Sequence, residues 1–155
     1  MKDNTMTQYQ DTITQYMYLG LLPFFIGVFG PWVFADYEWI LTKIFIHYSA
    51  IILSFLAGVL WAVTLFTDGH EPKKRHIHAA ITFSLLPLLG HLSGYLLPTV
   101  ITLSISILGF ASLLFWEKLF LHALYPRWYQ ELRHRISFIV IACHMLAIWN
   151  VIHTS

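Results

Sequence analysis

Charge is scarce in this chain: only 11% of its 155 residues are Asp, Glu, Lys or Arg, against roughly 25% in ordinary globular domains. So few charges cannot coat a water-facing surface. The 57% of hydrophobic residues are likewise too many to hide inside a small globule, whose surface is large relative to its volume. A net charge of +1 supplies no field for nucleic acid or a strongly acidic partner. The one cysteine, Cys143, lies in an apolar run, which excludes an intramolecular disulfide and points to a packing role. The first residues carry Lys2, Asp3 and Asp11 and lack the basic n-region and small-residue cleavage site of a secretory signal, as well as the Arg-rich character of a transit peptide.

What is present is apolar sequence in long runs. A helix crosses the hydrocarbon core with about 20 apolar residues, because every backbone polar group must be satisfied within the segment. Five stretches meet that length, at 16–34, 44–66, 77–95, 98–116 and 136–152. They predict an all-α, polytopic membrane helix bundle of five transmembrane helices, forming a single integral membrane domain over 1–155. The short turn at Gly94, Tyr95 and Pro98 makes spans three and four an antiparallel hairpin. Pro98 suits a first helical turn, and Pro23, Pro31 and Pro87 predict kinks within spans.

Lys and Arg near helix ends resist translocation. With five spans, one side receives Lys2, Lys73, Lys74, Arg75, Lys118, Arg127, Arg133 and Arg135, and the other only Lys43. This asymmetry requires an odd span count and places the N-terminus in the cytoplasm and the C-terminus outside (N-in/C-out). Lys73, Lys74, Arg75, Arg127, Arg133 and Arg135 are then topology determinants that can meet anionic lipid headgroups. The segment 117–135 mixes Leu119, Phe120, Leu121 and Leu124 with charges and has two readings: an interfacial amphipathic stretch, or an extension of span four followed by a turn at Pro126.

Helices in lipid associate where small side chains let backbones approach. Ala50, Ser54, Gly58 and Ala62 recur every four residues and predict the central contact stripe of span two. Gly90 and Gly94 form a second small-residue pair, and Thr102, Ser106 and Gly109 line span four. The same stripes could serve a homodimer.

Nine histidines are the chemistry-bearing candidates, since ionisable residues in spans are functional suspects. A haem held by imidazoles on facing helices would use His91 with His47 or His144, against the plainer reading of interface-level and core histidines. A proton or ion path would use His144, His91, Asn150 and the hydroxyls of span four, but the assigned spans hold no Asp, Glu, Lys or Arg at depth. The loop DGHEPKKRHIH at 68–78 is a topology determinant before it is a metal site. No phosphate loop, HExxH, nucleophile elbow or nucleotide fingerprint occurs, so neither a catalytic centre nor a cofactor is expected.

YLGLLPF at 18–24, YSAIILSFLAGVLWAV at 48–63, SLLPLLG at 84–90 and YPRWYQELRHRIS at 125–137 resemble the domain of unknown function 3429 family of small multi-span membrane proteins. That family's eukaryotic relative is a mitochondrial transmembrane protein. The resemblance implies a compact protein of bacterial inner (plasma) membranes with no established activity. The sequence departs from the family at FLAGVLWAV, where relatives tend to have a second Gly and a polar residue before the Trp, and at Glu117, where Asp is usual. The expectation is a non-enzymatic accessory, assembly or structural component, with the lipid bilayer, a larger membrane complex or a second copy as partner. The alternatives are a small-molecule or ion carrier and, behind it, a haem-binding redox protein.

Overall fold

A computed structural model describes residues 2–66, 74–93 and 96–154. They form six α-helices: α1 (Lys2–Leu19), α2 (Leu22–Val33), α3 (Glu38–Phe66), α4 (Lys74–Ser93), α5 (Thr99–Phe120) and α6 (Arg127–Thr154). Short 3-10 turns at Ala35–Tyr37 and His122–Leu124 close the α2–α3 and α5–α6 connections. α1 and α2 are nearly one rod, interrupted at Gly20 and Leu21 just before Pro23, whose ring sits harmlessly in the first turn of α2.

The expectation of five spanning helices is corrected here. Among the described residues, four helical stretches are long and apolar enough to cross a bilayer: Thr7–Val33, Ala35–Phe66, Thr99–Phe120 and Arg127–His153. The fifth rod, α4, falls short. At 1.5 Å per residue its 20 residues would reach across about 30 Å of hydrocarbon, but they are not apolar enough: the first turns hold Lys74, Arg75, His76 and His78, and Thr82, Ser84 and Pro87 interrupt the rest. The charge asymmetry that gave N-in/C-out needed an odd number of crossings, so that orientation loses its support with the count. Lys73 and Gly94 lie outside the described residues, and the side chains of Gly90 and His91 are likewise outside them.

Segment 117–135 contains the last turn of α5, the 3-10 turn and the first turns of α6. Gln130 Nε2 donates to the carbonyl oxygens of Tyr125, at 2.8 Å, and His122. These bonds use carbonyls that the break between helices would leave without partners.

The core is built from large side chains. Phe24 and Val28 of α2, Phe45, Leu53 and Leu60 of α3, Leu103, Phe110 and Leu113 of α5, and Val140 and Cys143 of α6 are buried in one cluster. Two glycines permit this packing. A Cβ on Gly27 would stand 2.7 Å from Phe45 Cδ2, and one on Gly109 would stand 2.5 Å from Leu53 Cδ2.

The small-residue stripe of α3 divides. Ala50 and Ser54 are half-buried, with Ser54 Oγ donating to the Ser84 carbonyl of α4 at 3.3 Å. Gly58 and Ala62 are exposed, and no heavy atom lies within 4 Å of a Cβ built on Gly58. The buried line of α3 instead follows Phe45, Ser49, Leu53, Leu56, Ala57, Leu60 and Thr64. Ser49, Thr64, Ser84 and Ser104 turn their hydroxyls to the carbonyl four residues back, which satisfies them without a partner helix.

Candidate functional site

α6 carries polar side chains on its buried face: Arg133, Ser137, His144 and Asn150 are all under 9% exposed. Arg133 and Ser137 are one helical turn apart and therefore neighbours. α5 and α6 are antiparallel across the turn at 121–126, and such a hairpin faces together residues equidistant from its centre. Glu117 and Arg133 each lie eight residues from Tyr125. Arg133 Nε is 3.2 Å from Glu117 Oε2, Nη2 donates to Glu117 Oε1 at 3.4 Å, and Nη1 donates to Ser137 Oγ at 3.2 Å. Two charges are thus paired side-on at 5–6% exposure, where each needs the other to offset its desolvation.

The pair lies between two spaces. On one side a void of about 10 Å³ is lined by Glu117, Lys118, His122, Tyr125, Gln130 and His134, roughly room for a single water. Burial, reinforced by the negative charge of Glu117, pushes the Tyr125 phenol up from its usual range. The Tyr125 hydroxyl has no hydrogen-bond partner among the described residues.

On the other side Arg133 and Ser137 close one end of a half-open cavity of about 380 Å³. Its walls come from α1, α2, α3, α5 and α6. Exposed Ile13, Tyr16 and Phe55 form the rim, and buried Leu21, Phe24, Phe110 and Val140 form the depth. The volume lies in the lower part of the range for small-molecule sites, about 300–1,000 Å³.

Of the other buried polar groups of α6, Asn150 bridges to another helix, whereas His144 bonds within its own helix and its Nε2 has no hydrogen-bond partner among the described residues. Asn150 Nδ2 donates to the Val28 carbonyl at 2.8 Å, and Asn150 Oδ1 accepts from Trp32 Nε1 at 3.0 Å, which ties α6 to α2. His144 is fully buried. Its Nδ1 donates to the Val140 carbonyl at 2.8 Å, and its ring centroid lies 4.7, 5.4 and 5.8 Å from those of Phe45, Phe110 and Phe24. Phenyl rings thus occupy the surroundings in which a haem at His144 would have to stand, while His47 is exposed. Among the described residues no group of three His, Cys, Asp or Glu could hold a metal ion.

Of the expected headgroup residues, Lys74, Arg75, Arg127 and Arg135 are exposed, and Arg75 stacks 4.5 Å above the Phe120 ring. Arg133 is the departure: its guanidinium is engaged inside the bundle. The sequence reading missed the Glu117–Arg133–Ser137 group because it placed all three outside or at the edge of the spans. The discoverable signal was the equal spacing of Glu117 and Arg133 from a Pro-containing turn.

No curated protein and no solved structure matches the chain. Residues 10–149, however, match the model of the family described as protein of unknown function, DUF3429, and the chain belongs to that family.

Proposed function

We propose that this protein is a non-enzymatic accessory component of a bacterial inner membrane, acting by association with a larger membrane assembly. The observation that carries this reading is the use of the polar residues of α6. Arg133 is bonded to Glu117 of α5 and to Ser137 of its own helix, and Asn150 is bonded to α2, which supports a holding role over a reacting one. Crosslinking in native membranes before extraction, followed by native electrophoresis, tests it. A discrete assembly containing the chain and a stoichiometric partner is expected. Recovery as a monomer after crosslinking, in several mild detergents, would defeat the reading, and a species containing only this chain would replace the complex with a homodimer.

A second reading, a small-molecule or ion carrier, gains support from one observation. The Glu117–Arg133 pair stands inside the bundle, whereas the sequence pattern showed no charge at depth. Flux in proteoliposomes that disappears in the Glu117→Gln, Arg133→Gln double variant would favour the carrier. No flux in the parent protein would remove it.

A further inference from the structure

Two buried polar atoms beside the ion pair receive no hydrogen bond, and their residues line the same void. Tyr125 precedes Pro126, whose ring confines it to extended backbone, and its φ of −99° and ψ of 141° mark the corner between the 3-10 turn and α6. Its phenol reaches the void between α5 and α6, where the hydroxyl is buried without a partner among the described residues. Glu117 Oε2 is the second atom. Arg133 Nε lies 3.2 Å from it, near enough for charge attraction, but the N–H is not aligned on that oxygen, which is buried and accepts no hydrogen bond among the described residues. A carboxylate oxygen accepts, and a phenol both donates and accepts. The two atoms are complementary and do not meet directly.

The size and charge of the void limit what joins them. Its volume of about 10 Å³ is that of a single water. A metal cation is disfavoured, because Lys118 lines the same void and Arg133 already stands beside the carboxylate. An anion would face Glu117 itself. A neutral molecule that both donates and accepts satisfies the two atoms together. A buried water typically makes about three hydrogen bonds, and His134, which also lines the void, offers the third. Its Nδ1 is bonded to the Gln130 carbonyl at 2.7 Å; a carbonyl only accepts, so the neutral ring keeps Nε2 as an acceptor. Exposed Lys118 and His122 border the void and give water a route from outside.

We propose that this void is a binding site for one ordered water, which accepts from the Tyr125 hydroxyl and donates to Glu117 Oε2 and His134 Nε2. The buried pair then draws its missing hydrogen bond from solvent, and α5, the turn and α6 are joined at one point. The site is independent of the accessory reading and needs no protein partner.

The test is a crystal structure of the full chain, grown from a lipidic mesophase, at a resolution that shows ordered water. One peak is expected within about 2.5–3.0 Å of both Tyr125 Oη and Glu117 Oε2. Crystals grown with rubidium as the only alkali cation should give no anomalous signal at that peak. The peak should be lost in the Glu117→Leu, Arg133→Met double variant, which removes the acceptor together with the charge. The parent structure decides the matter even if that variant fails to fold. No peak, a peak that touches only one of the two oxygens, a direct bond between Tyr125 and Glu117, or an anomalous rubidium signal would each overturn the proposal.

Discussion

Replacing Glu117 with Leu should be among the most damaging single changes in this protein. The substitution removes the acceptor of two Arg133 contacts, at 3.2 and 3.4 Å, from a site where both side chains are under a tenth exposed. The abandoned guanidinium would stand buried without its counter-charge, so the expected cost is that of an uncompensated buried charge, about 3–5 kcal/mol. Arg133→Met should cost a similar amount from the other side. The double variant should recover most of the loss, because two apolar side chains of comparable size restore packing without any charge to desolvate. Such replacements range from neutral to a gain of about 1–4 kcal/mol. Reversible unfolding by denaturing detergent in mixed micelles, followed by far-ultraviolet circular dichroism, gives the four corners of the cycle. With two single costs of about 3–5 kcal/mol and a near-neutral double variant, the coupling should be at least about 6 kcal/mol. Single-variant costs under about 1 kcal/mol, adding without coupling, are the signature of an exposed pair and would refute the reasoning.

Other consequences follow from individual contacts. Gly27→Ala should destabilise by about 1–3 kcal/mol, because its Cβ meets Phe45 Cβ at 2.8 Å and cannot be relieved by a rotamer change. Gly58→Ala should instead stabilise by about 0.5–1 kcal/mol, since open space surrounds it and alanine is the better helix former; the two are compared in one melting series. Asn150→Leu should cost about 1–2 kcal/mol, with a cycle against Trp32→Phe showing coupling, because both act through the 3.0 Å bond between α2 and α6. The Tyr125 phenol has a folded pKa raised above its ordinary value of 10.0. Its contribution is therefore complete below pH 10 and declines above it, as the unfolded chain ionises first. Tyr125→Phe should flatten the fall in melting temperature above that pH.

The all-helical membrane bundle is legible in the apolar runs of the sequence, because backbone satisfaction in lipid leaves few other choices. The number of spans is not legible there, and α4 shows why. Its apolar stretch between His78 and His91 is interrupted by Thr82, Ser84 and Pro87, so length and apolarity, which coincide in α3, part company there. The small-residue stripe misled for a different reason. Spacing identifies a helix face but not what lies opposite, and Gly58 faces open space while the close approaches occur at Gly27 and Gly109. The buried ion pair was hidden by treating every basic residue as a headgroup contact. Charge alone does not distinguish Arg133 from Arg135, but the two are separated by a 200° turn of helix, about twice the 100° step per residue, and only Arg133 meets Glu117.

The most direct test is the reactivity of three arginines on one helix. The intact protein in nanodiscs would be treated with an arginine-selective dicarbonyl reagent and the modified sites counted by mass spectrometry. Arg127 and Arg135, both exposed, should react, while Arg133 should be protected until the chain is unfolded or Glu117 is replaced. Modification of Arg133 at the rate of its neighbours in the folded protein would place it among the headgroups and contradict the buried pair around which the cavity and the α5–α6 hairpin are organised.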